Sequence, residues 1–471
     1  MKVEQIYTGC LAHGAYYIQS ENEAAIIDPL REIKPYLQRA ERNGARIKFV
    51  FETHFHADFV SGHLDLAKVT GATIVYGPTA QPAFTAHVAK DKEECKVGKV
   101  IIQLLHTPGH TMESCCYLLK DENGKPVAIF TGDTLFIGDV GRPDLAQKGN
   151  ITSKVLAGYL FDSLRNKVMV LPDDLIVYPG HGAGSACGKK MSNETADTLG
   201  HQKQFNYALR SNMTRDEFIK EVLEGLTAPP QYFPKNVQLN KLGYESFTEV
   251  LNRGLHSLSA KAFEAAAEET EALLLDTREP AEFVKGYIPN AINIGLGGNF
   301  APWVGALIPD LKQTILLIAE PGKEEEAITR LSRVGYDNCI GYLEGGFEKW
   351  QQAGLPFDSI QSISAEELAE LQRKDPSIKI IDVRKQSEYD SEHIVGVENL
   401  CLDYINDNMN KLDPNKTYYI HCLSGYRSVI FISILKSRGF HHLVNVAPGF
   451  KGLKASGLFP LTEFKEPVTM L

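Results

Sequence analysis

The apolar residues of the first half of the chain fall into short runs, each too brief for a helix and most ending in a polar side chain. Ile47-Lys48-Phe49-Val50-Phe51 reads as a buried strand, as do Tyr16-Tyr17-Ile18, Ala24-Ala25-Ile26-Ile27-Asp28 and residues 100–105. Residues 33–43 instead carry an amphipathic pattern and predict a helix. A second helix is predicted over 214–226, where Thr214 and Glu217 have the spacing of a capping box. Beyond residue 250 strand-like and helix-like segments alternate, which is the pattern of an α/β domain.

That later region contains the same pattern twice. Leu273-Leu274-Leu275-Asp276-Thr277-Arg278 resembles Ile378-Lys379-Ile380-Ile381-Asp382-Val383-Arg384, and Glu282-Phe283 matches Glu388-Tyr389. Gly286-Tyr287-Ile288-Pro289 is followed in the second copy by Glu392-His393-Ile394-Val395, and Glu344-Gly345-Gly346-Phe347 by Ala447-Pro448-Gly449-Phe450. A repeat of about 105 residues is too long for a solenoid unit and predicts a duplicated α/β domain. Boundaries near 252–258 and 356–363 divide the chain into domains at 1–252, 258–357 and 362–471, with Pro356-Phe357-Asp358-Ser359 as a linker.

Length agrees with this division, since 471 residues correspond to about three domains. Hydrophobic residues at 43% and charged residues at 23% describe a globular chain. A net charge of −10, with no Lys/Arg-rich tract, argues against a nucleic-acid partner. No apolar run reaches the roughly 18 residues of a membrane span, and the N-terminal residues lack a signal-peptide core, so a cytoplasmic location is expected. The eight cysteines form no paired framework, as expected in a reducing compartment.

The chemistry lies where the strand-like runs end. After Phe51 comes Thr53-His54-Phe55-His56-Ala57-Asp58-Phe59, with metal-capable side chains at every second position. His110 follows the 100–105 run, Asp133 follows Ile129-Phe130-Thr131-Gly132, and His181 follows Ile176-Val177-Tyr178-Pro179-Gly180. Imidazoles and carboxylates together suit zinc, iron or manganese.

In this order, His54-x-His56-x-Asp58, His110, Asp133 and His181 resemble the metallo-β-lactamase superfamily over about residues 1–245. Its members include dinuclear zinc hydrolases, such as glyoxalase II, and mononuclear iron persulfide dioxygenases. Phe59 stands where the hydrolases usually carry a histidine that binds the second metal, and a phenyl ring cannot coordinate. By resemblance to the dioxygenases, His54, His110 and Asp133 are expected to hold one mononuclear non-haem Fe(II), a set with the facial-triad logic of two imidazoles and a carboxylate. His56, Asp58 and His181 would then orient ligands or bound water. Spacing alone does not separate His54 from His56; that assignment comes from the resemblance. The run Gly132-Asp133-Thr134-Leu135-Phe136-Ile137-Gly138-Asp139-Val140-Gly141-Arg142-Pro143-Asp144 also resembles the dioxygenases, where the arginine lies near the substrate's carboxylate. Arg142 suits either that contact or an ion pair with Asp139 or Asp144.

The second copy of the repeat carries His421-Cys422-Leu423-Ser424-Gly425-Tyr426-Arg427-Ser428 between a strand-like and a helix-like stretch. Such a turn aims backbone N–H groups and a helix N-terminus at the sulfur, favouring thiolate and bound anions. The loop resembles the active loop of rhodanese sulfurtransferases, and Asp382-Val383-Arg384 and Pro448-Gly449-Phe450 match the flanking motifs. The resemblance implies a persulfide on Cys422, stabilised with incoming sulfite by Arg427 and the loop amides. Related phosphatase loops place five residues between cysteine and arginine; four stand here. The first copy has Ile318-Ala319-Glu320-Pro321-Gly322-Lys323 at this place and no thiol, so it is expected to be inactive. Cys187, in a glycine-rich turn after His181, is either an accessory thiol or a small residue fitting the turn.

The expected architecture is therefore multidomain: an αβ/βα metallo-β-lactamase sandwich followed by two α/β rhodanese-like domains. The resemblance implies oxidation of a low-molecular-weight thiol persulfide by O2 to sulfite and thiol, coupled to sulfur transfer that forms thiosulfate, in a homo-oligomer. The alternatives are a dinuclear zinc thioester hydrolase with a sulfurtransferase appendage, and a persulfide-carrying scaffold without oxidase activity.

Overall fold

The computed structural model of the protein describes residues 1–146 and 151–466; residues 467–471 of the expected third domain lie outside them. Two compact units are present, the first over Met1–Phe247 and the second beginning at Thr248.

The first unit contains two six-stranded sheets. β1 to β6 (Lys2–Thr8, His13–Ser20, Glu23–Ile27, Arg46–Phe51, Thr73–Tyr76, His87–Val88) lie side by side in chain order. The second sheet runs in the order β12-β11-β10-β9-β8-β7, built from Glu94–Val97, Val100–His106, Cys115–Lys120, Pro126–Gly132, Ile176–Pro179 and Asp197–Thr198 for β7 to β12. Side-chain alternation along each strand serves two faces. Tyr16, Ile18, Ile27 and Phe51 of the first sheet pack against Ile102, Leu104, Tyr117 and Phe130 of the second. Their neighbours Ala15, Tyr17, Ile26 and Val50 turn outward onto Tyr36 and Ala40 of the helix Lys34–Arg42. On the far side, Leu118, Ile129 and Val177 pack on Leu160 of the helix Ser153–Ser163 and on Phe218 of the helix Arg215–Leu223. Both sheets are thus buried on two faces, giving helix, sheet, sheet, helix layers, and each fully buried Leu or Phe contributes about 1.5–3 kcal/mol. The Thr214–Glu217 capping box forms, but the helix stops at Leu223, short of the 226 predicted, and Gly225 then takes a positive φ of 72°.

The second unit holds two five-stranded parallel sheets with one topology. β13 to β17 (Ser257–Leu258, Leu273–Asp276, Ile292–Asn293, Ile315–Ile318, Cys339–Leu343) run in the order β13-β17-β16-β14-β15. β18 to β22 (Ser362–Ile363, Lys379–Asp382, Glu398–Asn399, Tyr418–His421, Leu443–Val446) run in the order β18-β22-β21-β19-β20. The duplication extends to side chains. Arg278 pairs with Asp276 at 2.6 Å and lies 4.3 Å over Phe347; Arg384 pairs with Asp382 at 2.6 Å and lies 3.9 Å over Phe450. Among the described residues, no helix is long and apolar enough to cross a membrane.

Candidate functional site

Four strand ends of the first unit deliver the metal-capable side chains to one buried place. His54, His56 and Asp58 follow β4, His110 follows β8, Asp133 follows β10 and His181 follows β11. Nε2 of His54 lies 3.9 Å and Nε2 of His110 3.5 Å from Oδ2 of Asp133, and all three side chains are buried. Tight glycines make the approach feasible: a Cβ on Gly180 would sit 2.7 Å from Oδ1 of Asp133.

Hydrogen bonds fix which imidazole nitrogen carries a lone pair. The Thr53 hydroxyl donates to Oδ2 of Asp28 at 2.8 Å, so it accepts at 3.0 Å from Nδ1–H of His54. Nδ1–H of His110 donates to the Arg142 carbonyl at 2.9 Å. Both rings therefore present a bare Nε2 towards Asp133, the arrangement that outer-sphere acceptors impose on metal-binding histidines. Burial, together with the neighbouring imidazoles, holds His54 well below the usual histidine range, and burial brings His110 down to about 4. Burial, followed by the Asp58 charge, pushes the Asp133 carboxyl well above the usual carboxylate range. Neither oxygen of Asp133 accepts a hydrogen bond among the described residues. Two neutral imidazoles facing an orphaned buried carboxylate fit a divalent cation, which would supply the missing partner.

Behind this trio, His181 lies 3.4 Å from Asp58 and 3.6 Å from the other oxygen of Asp133, while the His56, Asp58 and His181 donors form a second cluster. Phe59 is completely buried, stacked on His56 and tilted against His13, with ring centroids 4.3 Å apart in each case. Cys187 is buried with its sulfur close to Asp133 and His181, and burial pushes its thiol well up. The Arg142 guanidinium meets Asp144 at 2.8 and 3.0 Å and the carbonyls of Ala186 and Thr227.

Sequence reasoning missed His13, Asp28, Glu52 and His63. Nε2 of His56 lies 3.1 Å from Asp28 and 3.3 Å from Glu52, and Nδ1 of His63 lies 3.4 Å from Glu52. Burial opposes a charge on His56, but these two carboxylates outweigh it and raise its pKa well above the usual range. Asp28 carried a signal, an acid ending the run Ile26-Ile27, the same signature that marks Asp133. His13 stands at the start of β2 beside His181 in a β-bridge, a long-range pairing with no local mark.

In the second unit, β21 ends at His421 and the loop that follows wraps Cys422. The Gly425 N–H donates to Sγ of Cys422 at 3.1 Å, and the Phe450 N–H donates to the Cys422 carbonyl at 2.7 Å. Gly425, with φ of 104°, then starts the helix Tyr426–Ser437. Arg427 forms a two-point ion pair with Glu388 at 2.5 and 2.9 Å. Burial alone would raise Glu388, but the Arg427 pair holds its carboxyl below the usual range. Strand register gives the counterpart in the first copy. Asp276 pairs with Ile318 as Asp382 pairs with His421, so Ala319 stands in the place of Cys422. The same count sets Gly322 against Gly425 and Glu324 against Arg427, replacing the cation with an acid.

A family model described as Metallo-beta-lactamase superfamily matches residues 8–181, and one described as Rhodanese-like domain matches residues 259–353 and 364–456. A solved metallo-beta-lactamase from Staphylococcus aureus subsp. aureus COL is 31% identical, with 73% of this chain and 98% of that chain covered at a TM-score of 0.63. A probable hydroxyacylglutathione hydrolase of Schizosaccharomyces pombe is 30% identical over 230 residues, 44% of this chain and 85% of the relative. The solved structure titled ETHE1 from Myxococcus xanthus is 30% identical over 51% of this chain and 98% of that one, with a TM-score of 0.44. Other hydroxyacylglutathione hydrolases are matched over 58% to 66% of their own length. The chain belongs to the metallo-beta-lactamase superfamily in its N-terminal part and continues into two rhodanese-like domains.

Proposed function

We propose that the first unit is a persulfide dioxygenase, holding one Fe(II) on His54, His110 and Asp133, and that Cys422 of a third domain, beginning near residue 362, is a sulfurtransferase nucleophile. The observation that carries this reading is Phe59. Its buried ring stacks on His56 and offers no donor, so the His56, Asp58 and His181 cluster gains no further ligand from that position, while the His54, His110 and Asp133 donors form a cluster of their own. Iron on that cluster supplies open coordination positions and redox capacity for O2 and a persulfide sulfur. The chain's own residues keep both Nε2 atoms deprotonated, through Thr53 and the Arg142 carbonyl, and exclude bulk water by burial. In the overall reaction one thiol persulfide, one O2 and one water yield one thiol, one sulfite and two protons; the outer sulfur is oxidised and O2 is reduced.

At Cys422 the thiolate attacks the outer sulfur of a donor, whose leaving group departs, and Cys422 is left as a persulfide. The Gly425 N–H steadies the charge on Sγ. Sulfite then attacks the outer sulfur, the S–S bond to Cys422 breaks, and thiosulfate leaves with the thiolate restored. The loop amides supply a positive field for sulfite, and Arg427 adds to it where its guanidinium reaches past the Glu388 ion pair.

A second reading, a dinuclear thioester hydrolase, rests on the His56, Asp58 and His181 cluster as a second metal site and on the relatives named hydroxyacylglutathione hydrolase. Metal analysis of the purified chain, run beside O2 uptake with glutathione persulfide and coenzyme A persulfide, separates the two. About one iron per chain with persulfide-dependent O2 uptake supports the dioxygenase. Two zinc ions per chain and no O2 uptake would overturn it.

A further inference from the structure

The helix Tyr426–Ser437 begins one residue after the Gly425 amide that contacts Cys422, and its run Ser428 to Leu435 is buried throughout. A helix buried all round needs partners on opposite sides. One side is its own sheet, β21 and β22; the other is β15 of the cysteine-less copy. Two hydrogen bonds fasten that second side. The Tyr426 hydroxyl donates to the Gly295 carbonyl at 2.7 Å, and the Asn293 N–H donates to the Ser433 hydroxyl at 2.9 Å. Tyr426 and Ser433 are two turns apart on one face, and both are held by the single short segment Asn293-Ile294-Gly295-Leu296-Gly297-Gly298.

That segment differs between the copies where the tyrosine lands. Strand register pairs Asn293 with Asp276 and Asn399 with Asp382, so Gly295, Gly297 and Gly298 stand where the active copy has Cys401, Asp403 and Tyr404. The glycine at 298 has a steric reason. A Cβ there would meet three ring atoms of Tyr426 at 2.4, 2.6 and 2.9 Å, closer than side chains approach one another. The φ of Gly298 lies outside the left-handed region, so its backbone alone does not require glycine.

We infer that the Gly295–Gly298 turn of the cysteine-less copy seats Tyr426 and so sets the Gly425 amide against the sulfur of Cys422. Tyr426 and Gly298 are positioning residues. They touch neither sulfur nor sulfite but fix the start of the helix on which the loop turns. Catalysis is sensitive to displacements of about 1 Å in such groups, which is what a Cβ on Gly298 would impose.

The inference rests on Cys422 being the sulfurtransferase nucleophile, and its test separates the two. The full-length protein is assayed for sulfur transfer from thiosulfate to cyanide, with kcat and KM for thiosulfate and persulfide loading of Cys422 by intact mass. If the wild-type chain neither loads nor transfers sulfur, the nucleophile reading falls. Given an active wild type, Gly298→Ala and Tyr426→Ala are each expected to lower kcat on the order of tenfold while KM stays within about twofold. In the double variant Gly298→Ala adds no further loss, because the ring it would displace is gone. Tyr426→Phe, which keeps the ring and loses only the Gly295 bond, falls between wild type and Tyr426→Ala. Wild-type kcat in both single variants, or losses that multiply in the double variant, would overturn the inference while leaving Cys422 as the nucleophile.

Discussion

The carbonyl of Arg142 accepts a hydrogen bond from Nδ1 of His110 at 2.9 Å, while the guanidinium of the same residue is tied to Asp144. Arg142 thus orients the imidazole that faces Asp133 through its main chain, and its side chain anchors the loop that carries this carbonyl. His54 receives the equivalent service from the Thr53 hydroxyl, itself held by Asp28.

Thr53→Val removes the acceptor for His54 Nδ1–H and leaves that buried donor unpaired. Metal affinity should fall by about 10–100-fold, as for other outer-sphere partners of metal-bound histidines. Competition titration with a chelating dye measures it, and unchanged affinity would remove Thr53 from the ligand-orienting role.

Below the raised pKa of Asp133, metal binding should release the proton of that carboxyl and none from His54 or His110. His110, brought down to about 4, is already neutral at pH 7, as is His54, whereas Asp133 has its carboxyl raised well above the usual range. A raised carboxyl holds its proton to higher pH than an ordinary one, so affinity should increase with pH until Asp133 ionises and level off above. Calorimetry in buffers of different ionisation enthalpy should give up to about one proton per metal ion. Release that persists in Asp133→Asn would assign the proton elsewhere.

Phe59→His places an imidazole beside Asp58 and His181 in a position now filled by a phenyl ring. Metal content should rise from about one to about two per chain, and persulfide-dependent O2 uptake should fall by on the order of tenfold or more. Elemental analysis with an oxygen electrode reads both; a chain that stays at one metal would show that Phe59 is not what limits the site.

Glu388→Gln should destabilise the second unit by about 1–3 kcal/mol, because the Arg427 guanidinium loses its charged partner in a largely buried place. The Glu388 carboxyl is held below the usual range, so the pair's contribution is complete above an ordinary glutamate pKa. It is lost as pH falls through the lowered value. Urea unfolding at pH 7 and at about pH 4 should therefore show a smaller difference between wild type and variant at the acid end.

Several features were legible in the chain because they are local or periodic. The short apolar run Tyr16-Tyr17-Ile18, the Thr214 capping box and the Asp-x-Arg motif at the end of β14 and of β19 each depend on neighbours within a few residues. The metal-capable residues were legible too, since each lies in the turn after an apolar run. His13 was not legible, because a buried histidine bonded to the Asp28 carbonyl carries no sequence mark of whom it meets, whereas Glu52 carried the mark of an acid ending an apolar run but no sign that it meets His56 and His63.

The sequence by itself determined several of the strands that lead into the site, the duplication and the residue types able to bind a cation or carry sulfur, because those follow from period, turn chemistry and donor type. Only the tertiary structure decided that His54 and His110 turn Nε2 inward and that Arg142 is anchored to Asp144. It likewise placed Ala319 opposite Cys422 and seated Tyr426 on Gly298. Each of these depends on strand register and on hydrogen bonds between segments tens or hundreds of residues apart. Such contacts are selected by packing of the whole unit, which no local pattern encodes.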